Sequence, residues 1–451
     1  EIPLLHGDVN DLLQEDTVGK NKLAQREFLG RQTILACRGG GKAGIITPYT
    51  ILIDTLGCAV LAFPTVPCES PALDDLDTVT ASLSTLSYGW QGSQSRGGAV
   101  ITNHDREASY IMQVLAASLR LRGQWINVAG NGSVMGPATA NGGEVTEGRS
   151  GGVSSAYLHC GLDTAVHRSR LDNRLYLVRG GVSVTPSTSA FLAAPNGPSN
   201  AYFYQRFRPE FLALHLADSD GDATTSLAPD AGAPFRAYDP QEHAEFDSAV
   251  ALLHTYVIPQ AAGQFTRDVN RLPRDMFSRL VAEGGLSHFL HSWGINMRFL
   301  IQFRAALHAR GGYLADLAAM TVEIELCVRA VKHLVLKQRG PSGLVVDRAQ
   351  AEAAVQPFLR YLDQGTIDGI LMPAIADKYR APAGAPPPNG AVATESSLLV
   401  PPLQIRLLRN SMFPIRLCQH LGMNLSRNGV PIKPDSLRCS APPTEATSDA
   451  A

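Results

Sequence analysis

Charge is the scarcest thing in this chain. Only 18% of its 451 residues are Asp, Glu, Lys or Arg, against roughly a quarter in ordinary soluble proteins. The 39 basic and 41 acidic side chains nearly cancel, leaving a formal net charge of −2. So small a field draws the molecule neither to nucleic acid nor to an anionic lipid surface. A long chain with few charges is expected to have much of its surface covered, and copies of itself are the simplest cover. Cysteine is sparse as well. The seven thiols, at 37, 58, 68, 160, 327, 418 and 439, are too scattered for a disulfide framework, and their odd number leaves one over. No Cys-x-x-Cys pair exists, and a reducing compartment is the simpler expectation. Long uninterrupted apolar runs are also missing. The most apolar stretch, Ile45 to Phe63, contains Pro48, Asp54 and several threonines, which a membrane span tolerates poorly. It reads as two buried strands, ILID and CAVLAF, turning around Gly57, so no transmembrane helix and no membrane partner are expected. The first residue is Glu1 rather than methionine, so a processed or trimmed N-terminus is expected.

Glycine and proline, by contrast, are plentiful at 41 and 29 residues, which implies long, ordered, irregular connections. No repeat of fixed period is present. Residues 1–122 read as a mixed α/β region. A helix is expected there from about Asp105 to Arg122, with Ile111, Leu115 and Leu119 stepping by four along one face and Gly123 stopping it. Residues 123–239 are rich in loops and short strands, among them WINVAG, AYLHC and RLYLVRGGVSV, the last read as a hairpin around its glycines. Residues 240–380 form a helical core. Its first helix starts at Asp239-Pro-Gln-Glu242, a capping aspartate followed by proline and a glutamate three residues on, and is expected to end before Pro259. A second runs to Gly284 and a third from Ser287 to Arg310. The fourth, Tyr313 to Arg339, carries Leu314, Leu317, Thr321, Ile324, Val328, Val331 and Val335 on one stripe. It pairs Glu325 with Arg329 one turn on, and Gly340-Pro341 ends it. A Pro/Ala/Gly-rich linker occupies 381–400, and 401–451 is a basic docking segment with a tail. The fold class is therefore α+β, predominantly α-helical, with a long central helix and a small β-rich region.

Several stretches look like chemistry and fail when tested. Ala36-Cys-Arg-Gly-Gly-Gly-Lys-Ala43 lacks the first glycine of a phosphate-binding loop and the Ser or Thr after its lysine that would hold Mg²⁺. A strand-like run follows Lys42, so no helix N-terminus faces a phosphate. Gly130, Gly132 and Gly136 follow a strand as a dinucleotide fingerprint does, but Pro137 and three more glycines allow no helix after them. His288 and His291, with His254 and His308 on neighbouring helices, lack the spacing and the third ligand of a zinc site. Asp218-Ser-Asp-Gly-Asp222 has Ala223 and Pro229 where a calcium loop needs glycine and glutamate. Ser150 sits in Gly-x-Ser-x-Gly, yet a Gly-rich loop precedes it and a strand follows, the reverse of a nucleophile elbow. His159 and Cys160 are adjacent on a strand and face opposite ways, so neither they nor His167 form a Cys/His pair. No catalytic residue, cofactor or metal is expected.

One regional feature survives. Between Pro401 and Ser440, Arg406, Arg409, Arg416, Arg427, Lys433 and Arg438 stand against the single acid Asp435. They suit RNA phosphates or the carboxylates of a neighbouring subunit. Because LQIRLLRNSMFPIRLCQHLG interleaves its arginines with large apolar residues, docking between subunits is the expectation.

The helical stretch ARGGYLADLAAMTVEIELCVRAVKHLVLKQRG, together with the Pro/Ala-rich C-terminal region, resembles capsid proteins of fungal double-stranded RNA viruses, the totivirus (victorivirus-like) group. The resemblance implies a large, irregular, plate-like capsid fold. It further implies many copies arranged as asymmetric dimers in a thin icosahedral shell, a virion in the host cytoplasm that encloses viral RNA and polymerase. Some yeast relatives carry a cap-removing histidine, but no motif here matches it. Two other readings stay open: an enzyme with a non-signature active site in the 123–200 loop region, and a non-viral helical scaffold protein.

Overall fold

The computed structural model describes residues 27–35, 44–62, 86–91, 100–128, 134–135, 154–179, 185–188, 206–216, 227–231, 240–271, 285–337, 358, 366–379, 412–421, 424–425 and 431–432, less positions 29, 48–49, 56–57, 162–163, 170–171 and 187. Within them the protein is α+β with helix predominating.

The β-rich part centres on a five-stranded sheet. Its strands are β1 (Ile45–Ile46), β4 (Leu86–Gln91), β5 (Val100–Thr102), β9 (Ala165–Arg168) and β10 (Leu175–Arg179), in the spatial order β1-β10-β9-β4-β5. Only the β1–β10 pair is parallel; the others are antiparallel. This sheet draws strands from both sides of residue 122, so the expected division between 1–122 and 123–239 runs through one hydrogen-bonded unit. The hairpin partner of β10 is β9, joined to it through a turn with Asn173 at φ 58°. The segment after the glycines at 180–181 lies outside the described residues. A second sheet pairs β6 (Gln124–Val128) with β7 (Val134–Met135) and β8 (Ser154–Leu158), all antiparallel. The expected hairpin at Gly57 is present as β2 (Ile51–Thr55) and β3 (Cys58–Ala62). It stands as its own two-stranded sheet, and Ile51 is 62% exposed rather than buried.

Helix α1 (Arg106–Ser118) covers the five-stranded sheet. Asp105 caps it, its carboxylate accepting from the backbone N–H groups of Glu107 and Ala108 at 3.1 Å each. The helix stops four residues short of the expected Arg122, where Arg120 turns left-handed at φ 56°. Its inner face joins the two cores. Ala108, Ile111, Met112 and Leu115 pack with the sheet, whereas Ala116 and the following Leu119 and Leu121 belong to the helical core. Arg122 reaches Glu242 at 3.5 Å, and Gln124 donates to the buried carboxylate of Asp230 at 2.6 Å. These contacts tie the strands to the helices.

The helical part begins with α2 (Pro209–His215) and α3 (Pro240–Leu252). The expected stop before Pro259 does not occur. A π-helical turn, Leu253–Val257, leads straight into α4 (Ile258–Arg271). A proline ring clashes with the carbonyl four residues back in a regular α-helix. The wider turn, in which the Ile258 N–H reaches back five residues to the Leu253 carbonyl, relieves that clash. The expected third helix is in fact two, α5 (Gly285–Ser292) and α6 (Leu300–Arg310), separated by a break and a short 3₁₀ turn at Met297–Phe299. Gly294 makes the break. Its φ is 71°, and a Cβ there would lie 2.4 Å from the backbone of Phe211, so α2 is seated against the kink.

Gly311 and Gly312 then reverse the chain into α7 (Tyr313–Lys337). At about 1.5 Å per residue this 25-residue helix spans roughly 37 Å. It is not a one-faced helix. Every residue from Thr321 to Val328 is buried, because α4 and α6 pack on one side and α8 (Met372–Tyr379) and α9 (Met412–Leu421) on the other. A helix buried all round must be apolar or must satisfy its charges internally. The second condition holds here.

Candidate functional site

Two glutamates of α7 lie in the middle of this buried stretch. Glu323 and Glu325 are two residues apart, which places them roughly 200° apart around the helix, on opposite sides. Each is met by a neighbouring helix that presents an arginine and, one turn later, a histidine. From α6, Arg304 reaches Glu323 Oε1 at 2.6 Å, with His308 Nε2 at 3.6 Å from the same oxygen. From α9, Arg416 Nε lies 3.0 Å from Glu325 Oε2 and His420 Nε2 lies 3.1 Å from Oε1. Arg329, on α7 itself, adds a third contact to Glu325 at 2.6 Å. The central helix is thus clasped from both sides by the same side-chain pair at the same spacing.

The two clusters differ electrostatically. His308 stands between two carboxylates, with Nδ1 3.6 Å from the exposed Asp316. Glu325 instead faces two guanidinium groups and an imidazole. Burial by itself pushes the Glu325 carboxyl upward, but Arg329, His420 and Arg416 outweigh it and hold the group well below the usual carboxylate range. Burial lowers the proton affinity of His420, and the pull of Glu325 does not fully offset that. Tyr379 of α8 is buried beside Arg329, and desolvation pushes its hydroxyl up. Burial likewise raises the Cys327 thiol well above its ordinary value and the Cys418 thiol to about 11. Both thiols are therefore inert as nucleophiles at neutral pH. These clusters hold helices together; their charges face one another.

A cleft of about 360 Å³ lies elsewhere, lined by Gly44, Ile46, Glu107, Arg168, Asn173, Arg174 and Leu175. Arg168 is already paired there, to Asp105 at 2.8 Å and Glu107 at 2.9 Å, and it donates to the Asn173 carbonyl. On the second sheet, the rings of Trp125 and Tyr157 meet edge to face with centroids 5.4 Å apart, and Tyr157 meets His159 at 5.2 Å. Trp125 is 49% exposed.

The structure disperses the residues that sequence reasoning singled out. Residues 36–43, the Gly-rich stretch, lie outside the described residues, and the chain resumes at Gly44 to enter β1. The glycines at 130, 132 and 136 lie outside the described residues; the two residues described between them, Val134–Met135, form β7. Residues 218–222 and Ser150 are also outside the described residues. His288 and His291 ride on α5, His254 packs edge-on against Phe299, and His308 Nε2 lies 3.6 Å from Glu323. Among the described residues no group of three or more His, Cys, Asp or Glu could hold a metal ion. Cys160 is buried while His159 is half-buried, and His167 is buried on β9. Of the six basic C-terminal residues only Arg416 is described; Arg406, Arg409, Arg427, Lys433 and Arg438 lie outside. Arg416 meets the carboxylate of Glu325 in its own chain. Sequence reasoning missed Arg304, Glu323 and His420. The signal available was two acids inside an apolar helix and two Arg-x-x-x-His spacings, at 304/308 and 416/420.

Comparison with protein-family models, with curated proteins and with solved structures finds no match. No helix among the described residues is long and apolar enough to cross a membrane.

Proposed function

We infer that this chain is a structural subunit that self-assembles into an icosahedral viral capsid, a thin shell of asymmetric dimers around double-stranded RNA and its polymerase. The resemblance of the helical core to totivirus-like capsid proteins brings the idea. One observation carries it: large apolar side chains are exposed on many separate elements. Among the described residues Tyr313 of α7 is 78% exposed, Tyr110 of α1 67%, Leu214 of α2 60% and Tyr256 of the π turn 55%. Single exposed apolar residues are ordinary, and a dimer would gather them on one face. A subunit that meets several neighbours in different environments needs them on several faces, and needs a stiff centre. The ion-paired central helix suits that second need, and the low overall charge permits close packing of copies.

The decisive measurement is particle size. Light scattering and negative-stain microscopy of the purified chain should give hollow megadalton shells. A species that stays near the 48.2 kDa of one chain, or at a small fixed oligomer, overturns the reading and favours a scaffold protein instead.

A further inference from the structure

We propose that α9 is an acid-released clasp, in which protonation of His420 frees this helix from the central helix α7. The charges around one buried carboxylate decide it. Glu325 is a single carboxylate that already holds Arg329 at 2.6 Å and Arg416 at 3.0 Å. His420 Nε2 lies 3.1 Å away from it. An imidazolium at 420 would place three cations around one carboxylate that is itself about 5% exposed. Among the described side chains, those that the other elements bring to the site are neutral or cationic. From α8 come Tyr379, a neutral phenol, and Lys378, whose ammonium lies 6.0 Å from the Tyr379 ring centroid. Arg298, which donates to the Lys378 carbonyl, also acts on Tyr379. Within α9 itself Gln419 and Cys418 are uncharged, and β11 (Asn424–Leu425) brings no charge. Among the described residues Glu325 is the only carboxylate that faces His420.

The matching site on the other side of α7 has a different charge balance: His308 lies 3.6 Å from each of two carboxylates, Asp316 and Glu323, with Arg304 beside them.

The pH window follows from linkage. His420 has a lower proton affinity docked than free, so the undocked state binds more protons, and docking weakens as pH falls from the ordinary histidine value of 6.5 toward the lower docked one. Glu325 is held well below its usual 4.5, so its loss comes only in stronger acid. Release can be local, because α9 is only 10 residues long and docks through Phe413, Leu417 and Leu421.

Backbone hydrogen exchange of the full chain at pH 7.5 and 5.5, corrected for the intrinsic pH dependence of exchange, tests this. Protection of α9 should fall severalfold, at most the roughly tenfold that a free histidine value of 6.5 allows between these pH values, while α6 changes less than about twofold. In His420→Gln, α9 should be equally protected at both pH values. Joint loss of protection in α6 and α9 overturns the proposal, as does a His420→Gln protein that keeps the wild-type response. If that variant does not fold, the wild-type chain decides alone: unchanged protection of α9 at pH 5.5 refutes the clasp.

Discussion

A buried ion pair is an expensive way to hold two helices. Taking both charges out of water costs several kcal/mol per ion, and their attraction repays this only when the geometry is close. Arg304 and Glu323 are each about 1% exposed and 2.6 Å apart, and Arg304 Nε also donates to the same carboxylate oxygen at 2.7 Å. Removing one partner leaves the other charged and unpaired in the interior. Arg304→Met should lower unfolding stability by about 3–5 kcal/mol. Adding Glu323→Leu should restore most of the loss, because an apolar pair needs no solvent. Urea melts of the single and double variants read this directly. If the single variant costs less than 1 kcal/mol, roughly a surface-pair value, the pair is not buried as described.

Elements show where local preference yields to packing. Helix α7 follows its sequence closely: continuous apolar spacing, no Gly or Pro inside, glycines just before it and Gly340-Pro341 soon after. Ile324 sits at its buried middle. Ile324→Pro removes a backbone donor and clashes with the carbonyl four residues back. It should cost roughly 3 kcal/mol or more and abolish assembly; a soluble variant that assembles normally would contradict the strut. Helix α1 depends on its cap. Burial pushes the Asp105 carboxyl upward, but Arg168 and the N–H groups of Ala108 and Glu107 prevail, and its pKa lies below 3.8. Such a group stabilises fully above the unfolded value and loses its contribution as pH falls through the folded one. Asp105→Ala should therefore cost about 1–2 kcal/mol at neutral pH. In thermal melts the gap from wild type should narrow only below pH 3.8.

For the whole molecule the question is what the C-terminal arginines would do in the proposed shell. Arg416 is already committed to Glu325 across 91 residues of sequence. Replacing Arg406, Arg409 and Arg416 together with glutamine should loosen α9 and prevent particle formation, seen as loss of the megadalton species in sedimentation. Intact particles with reduced RNA content would instead assign the segment to the genome-facing side, where each phosphate contact given up would make binding less salt-dependent.

Periodicity and stop signals by themselves determined the predominance of helix, the extent of α7 and the strands at 51–62. These are local properties, set by spacing and by which residues tolerate which backbone. The Glu325–Arg329 pair was legible for the same reason, since four residues is one helical turn. Tertiary structure decided the rest. Gly294 is an unremarkable glycine in an apolar run until the backbone of Phe211 occupies the space a side chain would need. Pro259 reads as a stop, yet packing keeps the helix going and a π turn absorbs the ring. The five-stranded sheet crosses the expected boundary at residue 122 because β1 finds its partner in β10, far along the chain. Likewise Arg304 meets Glu323 and Arg416 meets Glu325 only because α6 and α9 lie on opposite sides of one buried helix. Spacing along a chain shows which residues share a face; only the packed structure shows what that face meets.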